Sequence, residues 1–338
     1  MKTLHTTLIL LAMAITSMAQ GLWWGASVGL GYNQPYVNQS HFNLHVQDAN
    51  NQLVPLFLNA DGRYRWSDSA FIFSVENGEL TTSIPMTEVQ AGTTLRDAYM
   101  AAQAKYFPPS GTLPDTLFFT MPQYNTWIEL MYNQNQEDIL RYAHAIIDNG
   151  FPAGVLMIDD NWQRYYGNFD FKAERFPDPK AMVDELHALG FKVMLWVCPF
   201  VSPDSPEFRD LAEKDYLLKN PHGGTAILNW WNGYSACYDL TNPDAAAHFV
   251  SVLKQVQTDY GIDGFKFDAG DNNCYASTAI LAHDKTATTV DHTTSWAKIG
   301  LEFPFNEYRA CWKMDNRSYS ALATKIIAGK RYRSLFLV

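Results

Sequence analysis

Past residue 110 the apolar positions fall into short blocks separated by longer stretches with one apolar side. Val155-Leu156-Met157-Ile158, Phe191 to Phe200 (apolar apart from Lys192) and Phe265-Lys266-Phe267-Asp268 have strand length, and Leu117-Phe118-Phe119-Thr120 is the first strand candidate of the series. Between them, Glu137 to Asp148 reads as a helix ended by Asn149-Gly150. Asp178 caps the next helix, with Pro179 in its first turn, Met182, Val183, Leu186 and Leu189 on one side and Gly190 as terminator. Short apolar strands alternating with helices predict βα units and a parallel sheet. The apolar run at Phe191 suits a strand buried on both faces. Val201 to Ile262 is long for a connection; it holds a predicted helix, Pro243 to Tyr260, and an aromatic loop with Trp230, Trp231 and Tyr234 that would suit covering a site.

Before residue 110 the period changes. Alternating or aromatic runs such as Phe71-Ile72-Phe73-Ser74-Val75 are punctuated by Asn59-Ala60-Asp61-Gly62 and Glu76-Asn77-Gly78, which predicts a β-sandwich ending near Pro108-Pro109-Ser110-Gly111. At the N-terminus, Lys2, the apolar run Leu8 to Ile15 and Ser17-Met18-Ala19 have the layout of a secretory signal peptide cleaved after Ala19. The run is shorter than the roughly 20 residues of a membrane span. The expected division is therefore a signal peptide at 1–19, a β-sandwich at 20–112, a (β/α) barrel at 113–314 and an atypical tail at 315–338. Export places the protein in the periplasm or outside the cell, with no membrane insertion after cleavage.

Composition narrows the ligand. With a formal net charge of -10 the chain offers no basic face for a polyanion, so nucleic acid is not an expected partner. Aromatic residues make up 14% of the chain and include ten Trp, which suit the apolar faces of sugar rings and equally suit a core. Cys198, Cys237, Cys274 and Cys311 are widely spaced with no CxxC pair, so a cysteine metal site is not expected.

In (β/α) barrels the active site gathers at the C-terminal ends of the strands. Three strand candidates end in polar or aromatic groups: Asp159-Asp160-Asn161-Trp162, Trp196, and Asp268 with Asp271. Side chains alternate along a strand, so Lys266 and Asp268 face one way and Phe265 and Phe267 the other. An ammonium beside a carboxylate keeps it ionised, as a nucleophile requires. A structural ion pair filling the barrel has the same spacing, and the Ala269-Gly270-Asp271 sequel, which permits close approach, favours function. Asp159 and Asp160 suit hydrogen bonding to sugar hydroxyls, or capping and solvation of a loop. Trp162, Trp196, Trp230 and Trp231 are each core material taken singly and a sugar subsite taken as a set.

Several ordered segments resemble glycoside hydrolase family 31, a group of retaining α-glycosidases, near its myogenesis-regulating glycosidase-like members. They are Met157 to Gln163, Phe176-Pro177-Asp178-Pro179-Lys180, Gly190 to Phe200, Asp263 to Asp271 and Phe303 to Arg309. The resemblance implies a β-sandwich before a (β/α)8 barrel, hydrolysis of α-glucosides or α-galactosides with Asp268 as nucleophile, and no metal or organic cofactor. It implies sugar contacts from Asp159, Asp160, Trp196 and Lys266, with Trp127 lining the same pocket. Trp162 and Asp271 complete the expected set of substrate-binding residues. A retaining enzyme also needs a second carboxyl about 5 to 5.5 Å from the nucleophile. In the family it lies on a later strand, whereas Arg317 to Val338 contains no Asp or Glu. The expectation is a truncated or frameshifted barrel lacking its general acid, so that a non-catalytic sugar-binding protein or an inactive product stands beside the enzyme reading.

Overall fold

The computed structural model describes residues 22–46, 52–109, 111, 113–276 and 280–313. The signal-peptide layout at 1–19 and the tail beyond Met314 lie outside them. The chain forms two compact units that divide between Ser110 and Gly111.

The first unit holds two antiparallel sheets. One runs β1 (Trp23–Ser27), β3 (Gln52–Asn59), β4 (Arg63–Trp66), β7 (Thr87–Gln90); the other runs β2 (Gln39–Asn43), β5 (Ile72–Glu76), β6 (Glu79–Thr82). Alternation on β3 splits the core. Phe57 meets Phe71 and Phe73 of the second sheet, at ring separations of 5.9 and 4.9 Å. Leu56 and Leu58 pack instead with Ala98 and Ala102 of a helix, α1 (Leu95–Tyr106). That helix lies inside the stretch read as sandwich. Its signal was Thr94-x-x-Asp97: Thr94 Oγ1 accepts from Asp97 N, and Asp97 accepts from Thr94 N, a reciprocal cap at the helix start.

Among the described residues the second unit forms part of a (β/α) barrel. Five parallel strands lie in the order β15 (Asn306–Tyr308), β14 (Gly264–Phe267), β10 (Lys192–Val197), β9 (Val155–Ile158), β8 (Gln123–Asn125). Around them lie the helices α2 (Gln136–Asp148), α3 (Pro179–Ala188), α4 (Pro206–Glu213), α5 (Pro243–Tyr260) and α6 (Thr289–Gly300). The two faces of the sheet differ as strand alternation requires. Leu156, Ile158, Val193, Leu195, Phe265 and Phe267 pack against Ile139, Val183, Phe249 and Trp296 of the helices. Val155, Met157, Met194 and Trp196 face the interior, where Leu117, Phe118 and Phe305 join them. Asn135, Asp178 and Asn242 each cap a helix through a side-chain oxygen, so the polar residues that interrupt the apolar blocks set the helix starts.

Two expectations are corrected here. Leu117–Thr120 is a single helical turn, not a strand, because Asp115 Oδ1 accepts from Leu117 N and Thr120 Oγ1 donates to Thr116 O; the first strand follows at Gln123. The aromatic stretch is no open loop: β12 (Leu228–Trp230) and β13 (Gly233–Cys237) form a hairpin, and β13 also pairs with β11 (Phe200–Val201). Trp230 stacks on Phe200 at 4.3 Å, which anchors the hairpin and leaves Trp231 at its tip half exposed.

Candidate active site

The C-terminal ends of the five strands carry one connected polar array. Parallel register places Trp196 beside Lys266 and Lys266 beside Glu307. Lys266 Nζ donates to Asp159 Oδ2 at 3.0 Å and lies 3.9 Å from Asp268 Oδ2. Asn125 Nδ2 donates to the same Asp159 oxygen at 3.0 Å. Asp268 is buried; its Oδ2 accepts from Trp196 Nε1 at 2.7 Å and its Oδ1 from the Ala269 amide at 2.9 Å. Arg309, just beyond β15, places Nε 3.6 Å from Asp268 Oδ1 and 2.7 Å from Asp271 Oδ2.

These partners decide which carboxyls stay charged. Burial would raise Asp268, but Lys266, Arg309 and the Trp196 and Ala269 hydrogen bonds outweigh it and hold the group below its ordinary range. Burial works against the charge on Lys266 too, and Asp268 and Asp159 more than restore it. Burial raises Asp271 despite Arg309. Asp160 sits in a different setting: its Oδ2 accepts from Tyr166 OH at 3.1 Å and Asn232 Nδ2 at 2.9 Å, while Oδ1 is buried without a protein partner. Burial pushes its carboxyl up to about 6, against those hydrogen bonds.

The backbone is bent to aim these groups. Asn161, after the Asp pair, and Ala269, after Asp268, are non-glycine residues at φ 78 and 57. Such positions cost energy and cluster where side chains must be held out of a strand end. Gly270 follows at φ 69, where a Cβ would lie 2.3 Å from the Trp296 ring. The close approach that its sequence suggested is therefore made by helix α6.

Of the residues singled out from sequence, Asp159, Asp160, Trp196, Lys266, Asp268 and Asp271 come together. Trp127 stands nearby, its amide donating to Asn125 Oδ1 at 2.7 Å and its ring edge-on to Tyr132. Trp162 does not join them, which corrects its placement in the pocket. Its ring is fully buried against Phe171 among the outer core residues, and its Nε1 donates to the Trp196 carbonyl. Asn125, Tyr166, Asn232 and Arg309 belong to the array and were not picked out. Only Arg309 lies within a segment that carries the family resemblance, Phe303 to Arg309. Among the described residues no group of three or more His, Cys, Asp or Glu is placed to hold a metal, and no helix is long and apolar enough to cross a membrane.

Comparison with known proteins adds context. The family model described as the glycosyl hydrolases family 31 TIM-barrel domain matches residues 119–329, a span that runs past Met314. The myogenesis-regulating glycosidase of Mus musculus is 34% identical over 168 residues, 49% of this chain and 24% of that protein. Alpha-xylosidase XylQ of Lactiplantibacillus pentosus is 28% identical over 152 residues, 44% of this chain and 20% of its own. Among solved structures, a family 31 dextranase of Flavobacterium johnsoniae, complexed with glucose, has the same fold at a TM-score of 0.69 and 16% identity, over 86% of this chain and 39% of that one. The chain thus spans less than half the length of each.

Proposed function

The chain belongs to glycoside hydrolase family 31, and from that premise we propose that it acts on an α-glycoside, of the glucoside or galactoside class, by a retaining route with Asp268 as nucleophile. The observation that carries this reading is the setting of Asp268: a buried carboxylate at a barrel strand end, each of whose oxygens faces a cation and accepts a hydrogen bond. Such a group is ionised yet poorly hydrated, which suits attack on an electrophilic carbon.

In the first step a carboxylate oxygen of Asp268 bonds to the anomeric carbon. The bond from that carbon to the leaving group breaks, and the leaving group departs with the electron pair. A water oxygen then bonds to the anomeric carbon, the bond to Asp268 breaks with its electron pair returning to the carboxylate, and the water's proton passes to solvent. Asp159 and Asp160 accept from sugar hydroxyls in this reading, and the exposed Trp231 ring offers a platform beside them. The apolar run Leu8 to Ile15 before Ser17-Met18-Ala19 supports action after export.

The test is a ring-fluorinated α-glycosyl fluoride, whose leaving group needs no proton donor. We expect a stable glycosyl ester on the peptide carrying Asp268, found by mass spectrometry, and none with Asp268→Ala. A soluble, folded protein that stays unlabelled at Asp268 overturns the assignment. Sugar binding without labelling would leave a non-catalytic lectin-like role.

A further inference from the structure

We infer that Arg309 is the positioning residue of this site: it fixes the Asp268 carboxylate from the side opposite Lys266 and ties the tip of the β12–β13 hairpin to it. The inference rests on Asp268 being the nucleophile and assigns a role to a side chain that makes no bond to the reacting atoms.

The two oxygens of Asp268 face different cations. Oδ2 lies 3.9 Å from Lys266 Nζ, and Oδ1 lies 3.6 Å from Arg309 Nε. Lys266 comes from the same strand as Asp268 and is shared with Asp159. Arg309 comes from beyond β15 and is held by its 2.7 Å bond to Asp271 Oδ2. The carboxylate is therefore gripped across its width from two elements, which limits its rotation. The outer side of the guanidinium is covered by the Trp231 ring, with Cζ 4.9 Å from the ring centroid. A planar guanidinium can present an edge to carboxylates while its face lies under an aromatic ring, which an ammonium does less well. Asn232, the next residue of the hairpin, donates to Asp160 Oδ2 at 2.9 Å. The hairpin tip thus meets both carboxylate groups of the site, one of them through Arg309.

A guanidinium engaged with Asp271 alone would leave the titration of Asp268 to Lys266. Around Asp268 and the two cations that face it, Lys266 and Arg309, the charged and titratable groups are Asp159, which shares Lys266, Glu307 beside Lys266 on β15, Cys198 beyond β10, and Asp271 and Cys274 beside Arg309. Burial pushes both thiols up and leaves them uncharged. Removing Arg309 leaves one cation, bonded to Asp159 and flanked by Glu307, against burial.

The experiment compares wild type with Arg309→Lys, Arg309→Gln and Arg309→Met. Two readouts are followed: the pH dependence of covalent labelling at Asp268, and the carboxyl titration of Asp268 by carbon NMR in aspartate-labelled protein. The expected result is an upward move of the Asp268 titration and of the acid limb of labelling, by about one pH unit in Arg309→Gln or Arg309→Met, with most of it restored in Arg309→Lys. Either neutral variant suffices should the other fail to fold. An unchanged Asp268 titration in a folded neutral variant overturns the inference. The NMR readout needs no substrate, so a wild-type protein that never labels counts against the nucleophile assignment while the Arg309 comparison still reads out.

Discussion

Asp159 and Asp160 are neighbours in sequence, yet they belong to two neighbourhoods of opposite character. Asp159 opens a chain of charges through Lys266, Asp268, Arg309 and Asp271, whose members lie on or just beyond β9, β14 and β15. Asp160 closes a chain of neutral groups, Tyr132, Asn232 and Tyr166, drawn from the loops around the site. Asp160 and Asp268, one from each chain, are both buried. What differs is the partner: cations hold Asp268 ionised, whereas phenol and amide donors leave Asp160 near 6. Pushing two carboxyls apart in this way is how one site obtains an anion and a proton-holding group at the same pH.

The largest effect should come from breaking the charged chain at its hub. Lys266→Met leaves Asp159 and Asp268 buried without their shared cation. Breaking one buried pair costs about 3–5 kcal/mol, which lowers the barrel unit's Tm by on the order of 10 °C. Circular dichroism melting reads this out. A Tm within a degree or two of wild type, roughly the scatter expected of a surface change, would mean that the charged chain does not hold the strand ends together.

The neutral chain predicts a smaller effect of distinctive sign. The folded carboxyl of Asp160 titrates at about 6, above the roughly 3.9 of an unfolded aspartate. The folded state therefore binds the proton more tightly. Ionising Asp160 costs stability as pH rises from about 4 to about 6, and the full cost, about 2–3 kcal/mol, is present above that window. Asparagine does not titrate. Asp160→Asn should gain stability relative to wild type across that window and run parallel to it at higher pH, as measured by urea unfolding at a series of pH values. A gain on the acid side instead would place Asp160 with the charged chain.

These two chains were not equally legible in the sequence. The charged chain stands on strands, where period-two alternation puts Lys266 and Asp268 on one face and the barrel rule gathers strand ends, so its carboxylates and Trp196 were found from residues alone. The helices α2, α3 and α5 were legible for a similar reason: Asn149-Gly150, Asp178-Pro179 and Pro243 act locally. The neutral chain comes from a turn after β8 and a hairpin tip, where nothing periodic ties Tyr132 to Asn232, 100 positions away. Trp162 erred in the other direction. It follows the Asp pair in sequence, but the left-handed Asn161 turns the chain and sends its ring into the outer core. Helix α1 was hidden by the β-like alternation before it, although Thr94 and Asp97 spelled its start.

The smallest predicted effect tests how far the neutral chain acts as one unit. Tyr132 is half exposed, and its hydroxyl donates to Asn232 Oδ1 at 3.1 Å. In Tyr132→Phe water can take that place, so the loss should stay under about 1 kcal/mol. Asn232 keeps both bonds from Nδ2, to Asp160 at 2.9 Å and to the Tyr166 oxygen at 2.7 Å. The Asp160 titration should then move by no more than a few tenths of a unit, whereas Asn232→Ala, which removes a donor to the ionised form, should move it upward further. Carbon NMR of the Asp160 carboxyl separates the two. A shift in Tyr132→Phe as large as in Asn232→Ala would show hydrogen bonds reinforcing one another along the chain, and the contrast with the charged array would then lie in cooperativity as well as in charge.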